Sequence, residues 1–381
     1  MPAALAVIII LALAGICISC SNTTKSAQQP LRNAYVTLPA TGSVLLLQVN
    51  ETTGEIALEA RTPPVEGDTP TGLALHPSKK FLYVVNSVAD TISTFNIAID
   101  GTLSFNGVTT PTGNGPHTAV VDPSGNYLLV SNLYGSNGDD GDISVYSIDA
   151  SSGVLTEVAG SPFSANQYPT AISFTHSGKF LYVTNPGIGM VSSFSFADGV
   201  LTQLSNSPVY SGAGASGLVV NANDSVLYVA NPSATNLPPY ATTVGNISGF
   251  SIDSTTGELT SIAGSPFASV AGSGPNAILI DPTGELVYAI TPGSADSIWC
   301  FQITASSGTT NGQLVEISGS PFSLAAGGLF ALFDPSGQHL YIGNPTGIEG
   351  YTYSSSTGVP ATITNLPFST GSEPGQMLIV E

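Results

Sequence analysis

The chain has 381 residues, of which 25 are acidic and six are basic, so its formal net charge is −19 at pH 7. This balance excludes nucleic acid and anionic membrane surfaces as partners, because neutralising phosphates requires clustered Lys and Arg. Charged residues make up only 8 % of the chain, so much of the surface must consist of Ser, Thr, Asn and Gly.

The first 19 residues form an uncharged segment rich in Ala, Leu and Ile, which is typical of a signal peptide. Cys20 follows it and precedes a polar stretch, and this arrangement resembles a bacterial lipoprotein processing site. We therefore expect a signal peptide over 1–19, lipidation at Cys20 and a polar tether over 20–33. The protein would then lie outside the cytoplasm, in the periplasm or at the cell surface, and touch a membrane only through its lipid. Plain secretion and an uncleaved anchor are the alternatives, because Cys17 stands where Leu is usual.

Three apolar segments follow the tether, and their composition predicts β-strands. They are Ala34–Thr37, Val44–Gln48 and Ile56–Glu59. Compared with the repeating units that follow in the chain, these segments correspond to the second, third and fourth strands of a unit, and the first strand is missing.

From residue 70 onward the phrase Leu-Tyr-Val-x-Asn recurs, preceded by Asp-Pro-Ser-Gly or a near relative. The repeating units are 46 to 60 residues long and start at Pro70, Pro116, Pro169, Ala215, Pro275, Gly328 and Pro374. Four short strands with their turns fit in the smallest unit, which is the size of one propeller blade. A β-sandwich with a coincidental repeat is the alternative.

The unit from Pro116 shows the four strands most clearly. Ala119–Val121 is followed by an Asp-Pro-Ser-Gly turn and then by Tyr127–Ser131. Ile143–Ile148 alternates apolar and polar residues, and Val154–Val158 is the outer strand. A Gly-Ser-Pro-Phe sequence then ends the unit, because Pro cannot continue the hydrogen-bond ladder.

Only one strand follows Pro374, which is the strand missing from the N-terminal segment. Joining the two ends completes a seventh blade and removes the exposed sheet edge of an open ring. The predicted fold is therefore all-β, a seven-bladed propeller over 34–381 with four antiparallel strands per blade.

Two sets of polar residues are predicted at one mouth of the central channel. The first set consists of the residue after each unit start, where the first strand of a blade begins. The second set consists of the residue at the end of each second strand. The two sets share a mouth because the end of the second strand pairs with the start of the first strand. The predicted ligand-binding residues are Thr71, His117, Thr170, Ser216 and Asn276 from the first set, and Asn86, Asn132, Asn185, Asn231 and Asn344 from the second. Hydroxyls and amides there suit a neutral or hydroxylated ligand. The alternative role for each Asn is structural, as a cap for local backbone groups.

His117 is the candidate catalytic residue, because it is the only His that this register places at that mouth. His76, His176 and His339 fall near the turn at the opposite end. A lone His is also often a structural, hydrogen-bonded residue. Cys300 has no partner in the propeller, and we expect it to be a small buried side chain.

The same mouth gathers long loops at 133–142 and 232–246, where binding residues often lie. In the first loop, Asp139, Asp140 and Asp142 are candidate ligands for Ca²⁺, which takes hard oxygen donors. A solvated acidic turn is the alternative. No other cofactor is expected.

The sequence resembles the lactonase family of seven-bladed propellers over residues 34–381. The resemblance rests on Pro116-His117, Pro123-Ser124-Gly125 and Leu129-Val130, and on the repeated Tyr-Val-x-Asn. The family includes 6-phosphogluconolactonases and carboxymuconate cyclases, with YVTN-repeat surface proteins nearby. Its enzymes are thought to add Arg and Glu for an anionic substrate, whereas Arg32 and Arg61 here fall away from the mouth.

These observations predict a monomeric scaffold that binds a small molecule, a saccharide or a protein. The alternative is a hydrolase acting on a neutral or sugar lactone, which would need a base and an oxyanion stabiliser. His117 could supply the first, and Asn132 or Asn276 the second.

Overall fold

The computed structural model describes residues 30–63, 69–135, 140–232, 245–270, 274–292, 296–304, 311–354 and 356–380. They form seven antiparallel sheets whose innermost strands contact one another in cyclic order around a central channel. The predicted seven-bladed β-propeller is therefore confirmed. Across these ranges the single helix is a short 3₁₀ turn, Pro39–Thr41, and no helix is long and apolar enough to span a membrane.

Every blade has four main strands, numbered here from the channel outward. They are Met377–Ile379, Leu31–Leu38, Ser43–Asn50 and Ile56–Arg61 in blade 1; Pro70–Leu75, Phe81–Asn86, Thr91–Ile97 and Leu103–Pro111 in blade 2; Asn114–Val121, Tyr127–Tyr134, Asp142–Ile148 and Leu155–Glu157 in blade 3; Ile172–Phe174, Phe180–Asn185, Met190–Ala197 and Val200–Gln203 in blade 4; Gly217–Val220, Val226–Asn231, Gly245–Ile252 and Leu259–Ser261 in blade 5; Ala277–Ile280, Leu286–Thr291, Ser297–Ile303 and Leu314–Glu316 in blade 6; and Phe330–Phe333, His339–Asn344, Gly347–Tyr353 and Pro360–Thr362 in blade 7.

Blades 3 to 7 each carry one more short strand beside the fourth. These strands are Phe163–Ser164, Val209–Tyr210, Phe267–Val270, Phe322–Ser323 and Phe368–Ser369, and each pairs with the third strand of its blade. In blades 3 to 6 these strands follow a Ser-Pro sequence, whose Ser hydroxyl accepts a hydrogen bond from a third-strand amide; Ser161, for example, accepts from Val145 N at 3.0 Å. In blade 7 the corresponding sequence is Leu366-Pro367. The fourth strand ends several residues before the Pro, and the chain then returns to the third strand.

The C-terminal strand closes the ring as the sequence predicts. Ala34, Tyr35 and Val36 pair with Ile379, Leu378 and Met377 respectively. The first N-terminal strand starts at Leu31, three residues before the predicted bound. Closure therefore joins the two ends of the chain in one sheet.

The repeated Tyr links neighbouring blades. At six of the seven interfaces its buried hydroxyl donates to the carbonyl of a left-handed Gly in the turn between the third and fourth strands of the next blade. The pairs, 2.7–3.2 Å apart, are Tyr35–Gly101, Tyr83–Gly153, Tyr182–Gly257, Tyr228–Gly312, Tyr288–Gly358 and Tyr341–Gly54. Blade 3 has Leu129 at this position, and the ring of Tyr127 lies against Gly199 instead. Each of these hydrogen bonds contributes about 0.5–1.5 kcal/mol to the stability of the fold. The repeated Tyr therefore has a structural role.

The Asp-Pro-Ser-Gly turns lie at the opposite end of the channel from the predicted mouth. Asp122 accepts hydrogen bonds from the hydroxyl of Ser124 and the backbone amide of Tyr127. Asp281 and Asp334 make equivalent bonds. The recurring Asp therefore fixes a turn, and its recurrence is explained without a ligand.

Candidate functional site

A cavity of about 1060 Å³ opens at one end of the channel. Residues at the starts of the innermost strands line this cavity. The starts meet at one end of the channel because the innermost strands of all seven blades run in the same direction. The residue that follows the unit start lines the cavity in six of the seven units; these residues are Thr71, His117, Ser216, Asn276, Leu329 and Gly375. In blade 4 the lining residue is Ala171 rather than its neighbour Thr170. The predicted mouth is therefore a real cavity with His117 in its wall.

The imidazole of His117 is exposed to this cavity. Its Nδ1 lies 2.9 Å from the hydroxyl of Thr118, and its Nε2 has no hydrogen-bond partner among the described residues. The surrounding protein lowers the pKa of His117 below the ordinary 6.5, because it disfavours the charged form. A neutral imidazole with one nitrogen open to the cavity can accept a proton.

Thr71 lies beside His117 in the neighbouring blade. A Cβ added at Gly72 would lie 3.0 Å from the backbone oxygen of His117, so the two innermost strands approach closely here. The Thr71 hydroxyl is buried and has no hydrogen-bond partner in the part of the chain that the structure describes. Such an unpaired buried hydroxyl can donate to a ligand without breaking an existing bond.

The other polar residues of the first set are mostly committed to bonds within the protein. Ser216 Oγ donates to Asn276 O at 3.0 Å, and Asn276 Nδ2 donates to Gly328 O at 3.0 Å. Thr170 Oγ1 lies 2.9 Å from Thr184 Oγ1. Asn276 Oδ1 is buried without a partner within the described ranges, and its amide nitrogen has a second hydrogen to donate. Asn276 therefore retains capacity for a ligand, whereas Ser216 and Thr170 mainly support the scaffold.

The second predicted set does not reach the cavity surface. Asn86, Asn132, Asn185, Asn231 and Asn344 are at most 1 % exposed, and Thr291, which ends the second strand of blade 6, is 2 % exposed. Their side chains point away from the channel, because the innermost strand lies between them and the cavity. All five Asn amides are hydrogen-bonded to third-strand side chains, as in the bond from Asn86 Nδ2 to Ser93 Oγ at 2.9 Å. The placement of a second ring around the mouth is corrected accordingly, and these residues stabilise the blades.

Two of the three candidate calcium ligands, Asp140 and Asp142, lie in the described residues, and they differ in exposure. Asp142 is buried, and its carboxylate accepts a hydrogen bond from Asn132 Nδ2 at 2.6 Å. Burial raises the pKa of Asp142, although the Asn132 bond opposes this effect. Asp140 is exposed, and Asp139 lies outside the described residues. No three His, Cys, Asp or Glu side chains in the described ranges are placed to hold a metal ion.

The cavity carries little charge. Its described lining residues include one carboxylate, Glu373, and one imidazole, His117, and none is Asp, Lys or Arg. Arg61 bonds to Ser43 and to the carbonyl of Thr370, while Arg32 pairs with Glu51. A phosphorylated or carboxylated ligand would therefore lack a cationic partner in the described wall.

The remaining predicted residues lie as follows. His76 bonds Gly125 O, His176 pairs with Asp224 and His339 with Asp334, all at the opposite end of the channel. Cys300 is buried, as expected, and burial raises its thiol pKa to about 12. Cys20 lies outside the described residues.

A second, smaller cavity of about 390 Å³ lies between blades 6 and 7. Its buried carboxylate, Glu349, accepts hydrogen bonds from Asn344 and Tyr351. Because that carboxylate already has two donors, the larger cavity with its open imidazole is the better candidate for chemistry.

Sequence reasoning missed three residues of the larger cavity and its rim. Tyr134 and Glu373 line the cavity, and the ring of Tyr168 contacts that of Tyr134. A signal was present for two of them. The residue before each unit start is Thr or Gly in five units, whereas Tyr168 and Glu373 occupy this position in the other two.

Comparison with known families agrees with this architecture. The sequence profile described as Lactonase, 7-bladed beta-propeller, matches residues 28–167 and 158–265. The chain belongs to the lactonase family. Among curated proteins, no match was found.

Solved structures cover nearly the whole chain. A Bacteroides uniformis protein, titled as a candidate 6-phosphogluconolactonase, is 20 % identical with a TM-score of 0.75, and covers 93 % of this chain and 100 % of its own. The periplasmic gluconolactonase PpgL of Pseudomonas aeruginosa is 17 % identical with a TM-score of 0.75, covering 92 % and 99 %. A Bacteroides fragilis protein described in the same way is 19 % identical with a TM-score of 0.73, covering 92 % of this chain and 98 % of its own. At these identities the likeness shows the shared fold alone.

Proposed function

We propose that this lactonase-family member hydrolyses a neutral lactone, with His117 as the general base. The observation that carries the proposal is the open Nε2 of a His117 whose pKa is lowered, in the wall of the large cavity. Membership of the family favours this alternative over the binding scaffold that was the first expectation from the sequence.

The chemistry requires one proton acceptor and one stabiliser of negative charge. A water molecule gives a proton to His117 Nε2 while its oxygen adds to the lactone carbonyl carbon. The carbonyl oxygen becomes an oxyanion, for which the unpaired Thr71 hydroxyl and the second Asn276 amide hydrogen are the candidate donors. The ring carbon–oxygen bond then breaks, and the proton on His117 passes to the leaving oxygen, which yields the hydroxy acid.

The substrate class follows from the charge of the wall. Glu373 would repel an anionic substrate, and no Lys or Arg lies among the described lining residues to offset this repulsion. A neutral sugar lactone presents hydroxyls that Thr and Asn side chains can bond. This preference separates the proposed activity from hydrolysis of a phosphorylated lactone.

A lactone panel tests the proposal. Purified protein is assayed with gluconolactone and with phosphogluconolactone, after the spontaneous rate has been subtracted. We expect kcat/KM to be higher for the neutral lactone. Higher activity on the phosphorylated lactone would refute the assignment of substrate class, and no activity on either, with saturable saccharide or protein binding, would return the protein to the scaffold role.

We further propose that the protein acts outside the cytoplasm, with Cys20 as its lipid-bearing residue. The support is the uncharged apolar segment over 1–19 followed by Cys20 and a polar stretch. Mass spectrometry of the mature N-terminus after expression in a Gram-negative host tests this placement. A diacylglyceryl-modified Cys20 is the expected result, a mature chain without lipid indicates plain secretion, and an intact Met1 in the cytosol contradicts both.

A further inference from the structure

Two exposed tyrosines form a corner at the rim of the His117 cavity. The rings of Tyr134 and Tyr168 lie 5.6 Å apart between centroids at an interplanar angle of 89°. They are 39 % and 37 % exposed. Neither hydroxyl has a hydrogen-bond partner in the described part of the chain. Both rings are therefore partly open to solvent, and both hydroxyls are open to a ligand.

The corner is continuous with the proposed catalytic site. Tyr134 lines the same cavity as His117, and it pairs with Asn114, the first residue of the strand that carries His117. Tyr168 immediately precedes Pro169, where the unit of blade 4 starts. Its ring contacts that of Tyr134 and so extends the aromatic surface toward blade 4. A molecule with its reactive end at His117 could thus rest its other end on the two rings.

The local backbone is arranged to hold both rings in place. A Cβ added at Gly187 would lie 2.5 Å from Tyr168 Cδ2, and one added at Gly115 would lie 3.1 Å from Tyr134 Cδ2. Tyr168 itself has a φ of 51°, a left-handed conformation that bulky residues rarely adopt. Strained residues of this kind persist at ligand-binding positions when their surroundings enforce them.

The size and charge of the cavity indicate what the corner binds. At about 1060 Å³ the cavity is at the upper limit of pockets that enclose drug-sized ligands, so a single lactone ring would leave much of it unfilled. A pyranose ring has a face of C–H groups that packs on aromatic rings, and hydroxyls at its edge that bond to tyrosine. An anionic extension is disfavoured by Glu373 and the lack of Lys or Arg in the described wall.

We propose that Tyr134 and Tyr168 form a subsite for a second sugar ring, so that the preferred substrate is the lactone of a disaccharide. This proposal rests on the proposed lactone hydrolysis for its kinetic form. The subsite itself makes a separate prediction, namely that an unreactive disaccharide also binds at the corner.

The kinetic test compares cellobionolactone, which has two rings, with gluconolactone, which has one. Tyr134→Ala and Tyr168→Asn each remove a ring, and Asn tolerates the left-handed backbone at 168. We expect each to lower kcat/KM for cellobionolactone about tenfold, the loss of one aromatic contact, while gluconolactone is unaffected. Tyr134→Phe should retain most of the preference, because it keeps the ring. Phe105→Ala, which removes an exposed ring on the outer strand of blade 2, is the matched control for general effects.

The outcomes separate the subsite from the catalytic proposal. Equal losses on both lactones, or no loss on cellobionolactone in folded variants, would overturn the subsite. If the wild type hydrolyses neither lactone, the proposed function fails, and calorimetric titration with cellobiose then decides the subsite. Saturable binding that is weakened in Tyr134→Ala and Tyr168→Asn supports it, and absence of binding overturns it.

Discussion

Tyr341→Phe isolates the hydrogen bond that links the last blade to the first. Tyr341 is fully buried, and its hydroxyl donates to the carbonyl of Gly54 at 2.8 Å. Phe keeps the ring and its packing, so the substitution removes one hydroxyl and leaves that carbonyl without its donor. A buried acceptor that loses its partner costs about 1–3 kcal/mol. We expect the free energy of unfolding to fall by that amount.

Urea unfolding, followed by the fluorescence of the single Trp, measures this change. Tyr83→Phe makes the equivalent change at an internal interface, where Tyr83 donates to Gly153, and should give a similar loss. Tyr127→Phe is the matched control, since the Tyr127 hydroxyl has no hydrogen-bond partner among the described residues. The reasoning is refuted if Tyr341→Phe is as stable as the wild type, or if Tyr127→Phe loses as much.

Three further predictions concern closure, protonation and the buried amides. Deleting residues 374–381 should lower the free energy of unfolding by more than about 3 kcal/mol. Burial of Met377 alone contributes about 1.5–3 kcal/mol, and the strand pairing is lost with it. A truncated protein as stable as the wild type would contradict the closure account. The kcat/KM for a neutral lactone should decrease as the pH falls through the pKa of His117, which lies below 6.5, and should stay level at higher pH. The reason is that neutral His117 is the active form of the general base. A pH profile without this decrease at acid pH argues against His117 as the base. Asn185→Ala should cost about 1–3 kcal/mol in a melting or urea experiment, because it removes bonds to Ala165 and Ser192, while kcat/KM is unchanged. A loss of activity with normal stability would instead place Asn185 in the site.

The fold was predictable because the repeat encodes the contacts that build it. The repeated Tyr bonds the next blade at six of the seven interfaces, and the Asp of three turns fixes the link between the first two strands of blades 3, 6 and 7. Both contacts are made within a unit or between neighbours, so their spacing is visible in the sequence. The missing first strand at the N-terminus and the single strand after Pro374 predicted how the ring closes.

The position of the candidate cavity was predictable from the sequence, and the residues that line it were less so. The register placed His117 and Thr71 at the mouth, because the start of each innermost strand has a fixed place in the repeat. The same register suggested that Asn86 and its equivalents face the ligand. That prediction of placement was wrong, since position along a strand does not say whether the next strand covers the side chain. The contact between Tyr134 and Tyr168 joins two blades across variable turns, and no repeat position encodes it.

The rate of gluconolactone hydrolysis by the wild type and by His117→Ala is the most direct test of the central claim. His117 is exposed to the cavity and makes one side-chain hydrogen bond, so its removal should leave the fold and its stability intact. Loss of a general base should lower kcat by about 10²–10⁴-fold, with circular dichroism and the melting temperature unchanged. A His117→Ala protein that hydrolyses the lactone at the wild-type rate would contradict the account.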